Sequence, residues 1–262
     1  MDEPRHPRAS WLPQALGVLA AAALLASASA AHAATAEEKC EQGRFKAAAK
    51  YNNCQRKVMA KFYRNGAVHP DETFQAKLSK CRVKYTATWA KLQKRAAGSG
   101  AACTFPRYDG TVTGTVSDRL TQLQWTKTQN IDSVANYADP RDADNIYSYA
   151  TGAGLNHLAD GTAFTDFLEK LNTPPCHAGQ CDWRLPTIYE LQTILLEPYP
   201  CETTPCIDQT IFGPTVAWDT WAATNNVNQP LEAWYIFFVN GHVTTVGNKM
   251  NSINVRAVRG GM

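Results

Sequence analysis

The chain has 262 residues and a formal net charge of +3, a length that allows one or two domains with a buried core. After residue 33, no apolar run approaches the roughly 20 residues of a transmembrane helix, which argues against an integral membrane protein. Charge is unevenly distributed: residues 35–98 carry 15 Lys and Arg against 5 Asp and Glu, and residues 99–262 carry 9 against 16. The two segments therefore differ in character, and the basic one suits an acidic partner.

The first 33 residues have the pattern of a secretory signal peptide. Arg5 and Arg8 precede an apolar run at residues 16–25, and residues 31–33 read Ala-His-Ala, the small-x-small form of a cleavage site. We therefore expect an extracytoplasmic protein, periplasmic or exported to the cell surface, after cleavage near Ala33. Export disfavours nucleic acid as a partner.

Eight cysteines follow the expected cleavage site. An even number of cysteines in an exported chain predicts disulfides and not metal ligands or a redox site, and no pair has C-x-x-C spacing. The cysteines are Cys40, Cys54, Cys81, Cys103, Cys176, Cys181, Cys201 and Cys206. The last four form two pairs with a five-residue step, and each pair is predicted to close its own small loop.

Residues 34–97 are predicted to form a basic helical hairpin, followed by a short flexible linker at residues 98–103. Residues 37–64 and 71–96 are rich in the helix formers Ala, Lys, Gln and Glu. Asn-Gly and His-Pro signals between them predict a turn near residue 67.

The hairpin geometry predicts two disulfides. In an antiparallel hairpin that turns near residue 67, facing positions have numbers that sum to about 135. Cys54 and Cys81 meet this condition, so we predict that they are bonded. Cys40 then lies opposite the end of the second helix, and Cys103 is its nearest remaining partner.

Residues 104–262 have a different sequence pattern, which predicts short β-strands and an amphipathic helix. The helix opens at Gly161 and places apolar residues between 164 and 171 at i, i+3, i+4 and i+7. Asn240-Gly241 is a hairpin turn signal. Strands are predicted at residues 111–117, 120–126, 220–223, 234–239, 242–246 and 253–259.

The stretch CDWRLPTIYELQTILL at residues 181–196 is the best-defined local motif. Pro186 ends an extended lead-in, and Thr187 and Glu190 have the T-x-x-E spacing of a capping box. Apolar residues up to Leu195 then share one face of a helix that Pro198 is predicted to end.

The same motif contains residues with expected structural roles. Trp183 is predicted to be a core residue, together with Trp125 and Trp234. Arg184 is expected to be partly buried, with its guanidinium holding backbone carbonyls or an acidic partner such as Asp182. An unpaired buried charge would be too costly.

Several stretches of residues 104–262 resemble, in the same order, the Lcl C-terminal domain family, long called DUF1566 and named after a collagen-like adhesin. They are VTGTVSDRLTQLQW (112–125), DGTAFTDFLEKLN (160–172), CDWRLPTIYELQTIL (181–195), AWYIFFVNGHV (233–243) and NVRAVRGG (254–261). The WRLPT-x-x-EL motif and the closing VRAVRG are the most specific of these. The helical hairpin lies outside the resemblance.

The resemblance implies an α+β fold akin to that of C-type lectins, with two helices packed on small twisted antiparallel sheets. Formylglycine-generating enzymes share that fold and a similar W-R-L-P-T stretch. In the adhesin the domain is linked to the binding of glycosaminoglycans and host surfaces. Most other members have no assigned activity, and a fold does not carry a function with it.

The sequence shows no catalytic constellation. Neither H-E-x-x-H nor G-x-S-x-G occurs. Formylglycine-generating enzymes need a reactive cysteine pair late in the chain to hold copper, and no cysteine follows Cys206. The histidines after the cleavage site show no helical i, i+4 pairing; they are His69, His157, His177 and His242. We therefore expect a protein that is not an enzyme and that has no cofactor.

A polar stretch holds the candidate metal ligands. Asp139, Asp142, Asp144 and Asn145 could present several oxygens to a structural calcium ion. The stretch departs from the EF-hand template, because Ile146 stands where the third oxygen ligand belongs. A solvated loop is the alternative interpretation.

The candidate ligand surface combines aromatic rings with amides, which suit sugar rings and protein partners alike. Its residues are Tyr199, Trp218, Trp221, Asn225, Asn226, Asn228, Gln229 and Glu232. A calcium-dependent lectin site in this stretch is disfavoured, because Leu231 stands where an acidic or amide ligand is expected.

These observations favour an exported bacterial envelope or surface protein that acts as a non-enzymatic binding module for a polysaccharide or a surface protein. The alternative is a structural or assembly component in which the hairpin binds a partner and the C-terminal domain is a rigid scaffold. The opposite charges of the two segments also suit head-to-tail self-association.

Overall fold

Two long helices form the N-terminal part of the structure. Helix α1 spans Ala36–Arg64 and helix α2 spans Glu72–Ala97. Thr35 begins α1 with a full capping box, and the Asp71 side chain accepts a hydrogen bond from the backbone of α2 at 2.7 Å. The computed structural model describes residues 34–101, 107–152, 158–196 and 199–261.

A disulfide joins the two helices of this hairpin. Cys54 and Cys81 are bonded, with their Cα atoms 5.7 Å apart, so the predicted helices and this bond are confirmed. Cys103 lies outside the described residues, and its pairing with Cys40 stays a prediction.

Small antiparallel sheets and short helices make up the C-terminal part, residues 107–261. In chain order the strands are β1 (Tyr108–Asp109), β2 (Thr115–Asp118), β3 (Leu123–Thr126), β4 (Tyr147–Ser148), β5 (Asp219–Asn225), β6 (Glu232–Phe237), β7 (His242–Asn248), β8 (Ser252–Ile253) and β9 (Val258–Gly260). Among the described residues, β1-β2-β3-β9 form one sheet, β4-β8 a second and β5-β6-β7 a third. With the helices, this arrangement confirms the predicted α+β class.

The C-terminal helices are short. A π-helical segment, Ala163–Leu168, continues directly into α3 (Glu169–Asn172) where the amphipathic helix was predicted. Helices α4 (Ile188–Gln192) and α5 (Gln209–Phe212) follow. The predicted capping box at the start of α4 is confirmed.

Helix α4 is shorter than predicted. It ends at Gln192, because the chain then turns and Leu195 forms an antiparallel bridge with Ile207. The apolar side chains of Ile194 and Leu195 are buried nevertheless. The apolar pattern therefore identified core residues correctly but extended the helix too far.

The two five-residue disulfides are confirmed. The Cα atoms are 5.3 Å apart in the Cys176–Cys181 pair and 5.9 Å apart in the Cys201–Cys206 pair. The first pair follows α3 and the second precedes α5. The first loop contains a short 3-10 turn at His177–Gly179, and in the second the backbone N–H groups of Cys201 and Cys206 donate to the carbonyls of Asn240 and Phe238.

The hairpin shares its core with the C-terminal part. Met59 and Phe62 of α1 and Phe74 of α2 are buried in one cluster with Trp234 of β6. The ring of Phe62 lies 5.3 Å from each of Phe74 and Trp234, and residues Ala34–Met262 form one compact unit. Trp125, Trp183 and Trp234 are buried, as predicted.

The predicted strand at residues 253–259 is broken. Its two ends belong to different sheets, as β8 and β9, and the segment between them crosses the core. Arg256 in this segment is buried and donates hydrogen bonds to the carbonyls of Thr126 and Phe212. Among the described residues, no helix combines the length and apolarity of a membrane span.

Candidate functional site

The turn between α1 and α2 covers the loop that was predicted to face a ligand. Asn226 and Asn228 donate side-chain hydrogen bonds of 2.8 Å to the carbonyls of Val68 and Ala67, respectively. Asn226 has no exposed surface. These two amides are therefore occupied by the protein's own hairpin.

The same contact continues along the end of α1. The hydroxyl of Tyr63 accepts a hydrogen bond from the Trp234 indole at 2.6 Å and donates one to the Asn225 carbonyl at 3.2 Å. Glu232 lies 3.4 Å from the ring nitrogen Nδ1 of His69. Segments about 160 residues apart in sequence thus form one polar seam.

The remaining candidates of this surface are scattered. Trp221 is fully buried, and its indole donates to the Tyr147 carbonyl, so it has no face for a ligand. Tyr199 is half-buried with its ring 5.2 Å from that of His242, and Gln229 is half-buried in the turn after β5. Trp218 is 55% exposed. The structure does not bring the eight residues together on an open surface.

The candidate calcium ligands brace their own loop. Asp144 accepts hydrogen bonds from the backbone N–H groups of Asp132 and Ser133 at 2.7 and 2.8 Å. Asp142 accepts from the Asp144 backbone at 3.0 Å. Within the described part of the chain, no group of three or more His, Cys, Asp or Glu side chains is arranged to hold a metal ion.

The other two candidates of this loop are also bonded within the protein. Asp139 accepts from the Arg141 backbone at 2.9 Å and from the Gln129 side chain. The amide nitrogen of Asn145 donates to the carbonyls of Asn136 and Asp139 at 3.0 and 2.9 Å. The loop is thus a set of side-chain-to-backbone turns.

Arg184 holds backbone carbonyls, as predicted, donating to those of Gly260 at 3.1 Å and Leu185 at 3.3 Å, but its acidic partner is Glu190 and not Asp182. Its guanidinium makes two hydrogen bonds of 2.8 and 2.7 Å to the Glu190 carboxylate, while Asp182 pairs with Arg259. Burial alone would raise the pKa of Glu190, but the bonds from Arg184 and the Thr187 backbone hold it below its usual range. The capping box explains the difference, because it aims Glu190 back at the extended lead-in.

A cleft of about 590 Å³ lies between α1, the β2–β3 turn and the start of α4, and we call it the α1–α4 cleft. Its volume falls in the range of small-ligand sites. The lining residues are Ala48, Ala49, Asn52, Asn53, Arg56, Leu120, Thr121, Leu123, Thr187, Tyr189, Glu190, Thr193 and Gly261. It is therefore built by the hairpin and the C-terminal part together.

The lining of the cleft is polar, with an aromatic side chain and a cation. Asn52, Asn53 and Thr121 offer amide and hydroxyl groups, and the half-buried Tyr189 faces the same space. Arg56 lines the same cleft, and its charge partly offsets the rise that burial causes in the pKa of Tyr189. Hydroxyl-bearing ligands with an acidic group match these features.

Sequence reasoning missed this cleft, because it treated the hairpin and the C-terminal part as separate objects. Two elements that form its edges were nevertheless predicted from the sequence. They are the helix that bears Asn52 and Arg56 and the capped start of α4. The sequence did contain one signal of this contact. Met59 and Tyr63 lie beside Phe62 on α1 and make its apolar face wider than contact with α2 alone requires.

The three histidines in the described part of residues 34–261 lie apart and have separate partners. His177 contacts the Gly114 carbonyl at 3.1 Å, and burial lowers its pKa. Burial likewise lowers the pKa of His242 beside Tyr199. His69 lies at the hairpin turn, and His157 lies outside the described residues.

Comparison with known proteins gives one match. Residues 114–259 match the family model described as the Lcl C-terminal domain, which covers more than half of the chain. No curated protein and no solved structure matches the chain. The α1–α4 cleft lies partly inside the matched residues and partly on the hairpin in front of them.

Proposed function

The chain belongs to the Lcl C-terminal domain family, and from this premise we propose that it is a non-enzymatic protein that binds a polysaccharide in the α1–α4 cleft. The observation that carries the proposal is the cleft itself, with its amides, hydroxyls, tyrosine and arginine. The predicted loop surface offers less, because its amides are bonded to the hairpin turn.

The cleft fits a sugar chain in shape and chemistry. Amide and hydroxyl groups can both donate to and accept from sugar hydroxyls. The phenol ring of Tyr189 supplies an amphipathic wall, and Arg56 at the rim suits a carboxylate, phosphate or sulfate substituent. An acidic or partly acidic polysaccharide is therefore the ligand class that we propose.

We place this function outside the cytoplasm, in the periplasm or at the cell surface. Three disulfides among the described residues support an oxidising compartment. The signal-peptide pattern at residues 1–33 supports export with cleavage near Ala33.

The experiment that tests the proposal is a glycan-array screen of oxidised protein comprising residues 34–262, with calcium and with a chelator. We expect chelator-resistant binding to a polysaccharide, weakened about tenfold by Arg56→Ala, which corresponds to about 1.4 kcal/mol. Lys57→Ala is the matched control, because Lys57 is the adjacent exposed cation and does not line the cleft.

Three outcomes would contradict the proposal. Equal effects of Arg56→Ala and Lys57→Ala would show that only general charge matters. Binding that requires calcium would move the site to the loop of Asp139–Asn145. Silence against every glycan would favour the alternative, a structural or assembly component that binds a protein partner.

Deleting the hairpin cannot separate these alternatives. Met59, Phe62, Phe74 and Leu78 belong to the main core, so removing residues 34–98 would expose Trp234 and unfold the site. Substitutions of exposed residues separate the alternatives without this side effect.

A further inference from the structure

A groove lined by residues of the hairpin is the first of two surfaces considered together. It lies between α1 and α2, has a volume of about 370 Å³, and we call it the basic groove. Its floor contains the stacked rings of Tyr51 and Tyr85, 5.2 Å apart, and its rim carries Lys50, Lys84 and Lys91. An apolar floor with a cationic rim suits an apolar segment that also carries carboxylates.

The charge of the groove is not compensated within the hairpin. None of the three rim lysines forms an ion pair with a described residue. The sequence has no Asp or Glu from residue 42 to 70 or from 73 to 101. The acidic side chains of the hairpin are confined to the beginnings of its helices, where they suit the helix dipole.

The second surface is the loop of residues 129–146, which we call the apolar loop. Four large apolar side chains are exposed on it, Ile131 at 48%, Val134 at 66%, Tyr137 at 42% and Ile146 at 41%. The Tyr137 hydroxyl donates to the Ile146 carbonyl at 3.3 Å, which brings these two residues together. The Asp144 side chain holds the backbone of residues 132–133, which connects Ile131 and Val134. Contiguous exposed apolar side chains commonly mark an interaction surface.

The apolar loop is acidic and held in one conformation. Asp144 ties the backbone of residues 132–133, and Lys170 donates to the Tyr137 carbonyl at 2.5 Å. Neither Asp132 nor Asp144 forms an ion pair with a described residue. A preorganised loop loses little conformational entropy when it is bound.

We infer that the apolar loop of one copy docks into the basic groove of a second copy. The apolar side chains would cover the tyrosine floor, and the carboxylates would meet the rim lysines. A free polyanion would match the lysines but leave the exposed apolar side chains of the loop uncovered, so a second copy accounts for more of what is seen. This inference uses neither the α1–α4 cleft nor its ligand and stands apart from the proposed function.

The contact joins two different surfaces, so each copy can bind a neighbour on either side. Heterologous contacts of this kind give rings or open chains and not closed two-fold dimers. Because the proposed contact pairs lysines with exposed carboxylates, we expect the association to depend strongly on ionic strength.

Sedimentation velocity of the oxidised protein comprising residues 34–262 tests the contact. We expect the wild type to form oligomers as concentration rises and to dissociate at high ionic strength. Lys84→Glu, in the groove, and the double variant Ile131→Ser/Val134→Ser, in the loop, should each stay monomeric. Their equimolar mixture should form dimers and nothing larger, because only one pair of intact surfaces is present.

The controls change matched side chains elsewhere. Lys61→Glu makes the same charge change about 16 Å from Lys50 along α1, and Val227→Ser removes an exposed valine from the β5–β6 turn. Both should associate as the wild type does. Circular dichroism of each variant establishes that it is folded.

Three results would overturn the inference. The first is a wild type that stays monomeric at every concentration. The second is association that both variants leave intact. The third is a monomer whose retention on sulfated dextran falls with Lys84→Glu and not with Lys61→Glu, which would assign the groove to a polyanion.

Discussion

Phe62→Ala tests whether the hairpin is part of the core of the C-terminal domain. Phe62 is 6% exposed and packs edge-on against Phe74 and Trp234, with ring centroids 5.3 Å away in each case. Truncating a buried phenylalanine to alanine costs about 3–5 kcal/mol. Such a loss is a large part of the stability of an ordinary domain.

Phe45→Ala is the matched control. Phe45 lies on the same helix and is 38% exposed, so the substitution brings the same gain in helix propensity without a large cavity. We expect Phe45→Ala to change the free energy of unfolding by less than about 1 kcal/mol. The difference between the two variants therefore isolates the packing of Phe62 in the shared core.

The assay is urea unfolding of the oxidised protein, followed by far-UV circular dichroism and by tryptophan fluorescence. The first signal reports mainly on α1 and α2, and the second includes Trp234 in β6. We expect coincident transitions that shift together in Phe62→Ala. Separate transitions, or equal effects of the two variants, would refute a common core.

Three further predictions concern stability, each measured as a free energy of unfolding. Burial raises the pKa of Asp219 to about 6, so the folded state holds the carboxyl proton more tightly than the unfolded state does. The resulting stabilisation is complete below pH 4 and is lost as pH rises through 6. The Asp219→Asn variant should therefore be more stable than the wild type by about 1–2 kcal/mol at pH 7, a value discounted for partial exposure, and equally stable at pH 4. An equal gain in stability at both pH values would contradict this cause. Removing the Cys54–Cys81 bond should cost about 3–4 kcal/mol and removing Cys176–Cys181 about 2, since the closed loops span 27 and 5 residues; a reversed order would be inconsistent with loop entropy. Arg256→Lys should cost about 2–4 kcal/mol, because one ammonium cannot serve the four acceptors of the buried guanidinium, and a neutral result would show that they find other donors.

The local structure could be predicted from sequence where the signals were local. The pairing of Cys54 with Cys81 follows from helix geometry and the position of one turn, and the α4 capping box from a four-residue pattern. The end of α4 was placed too late. Its apolar face is continued by a bridge to Ile207, and periodicity cannot distinguish a buried helix from a buried turn.

The arrangement of the candidate site depends on contacts that leave no local signal. The amides of Asn226 and Asn228 looked free for a ligand, yet backbone carbonyls of residues 67 and 68 occupy them. Such carbonyls belong to every residue type, so nothing in their sequence marks them as partners. The burial of Arg256 depends on contacts of the same kind, because the predicted strand at 253–259 breaks where the chain changes sheets and the guanidinium there binds backbone carbonyls.

The seam between Tyr63 and Trp234 has a consequence for the order in which the chain acquires structure. These side chains are 171 positions apart, whereas the contacts within the hairpin are mostly local. During synthesis the hairpin can form early, but the apolar face of Phe62 and Met59 stays uncovered until β6 has emerged. Until β6 is synthesised, the nascent chain therefore exposes an apolar surface that favours aggregation. A chaperone that shields this surface would bind the N-terminal helices.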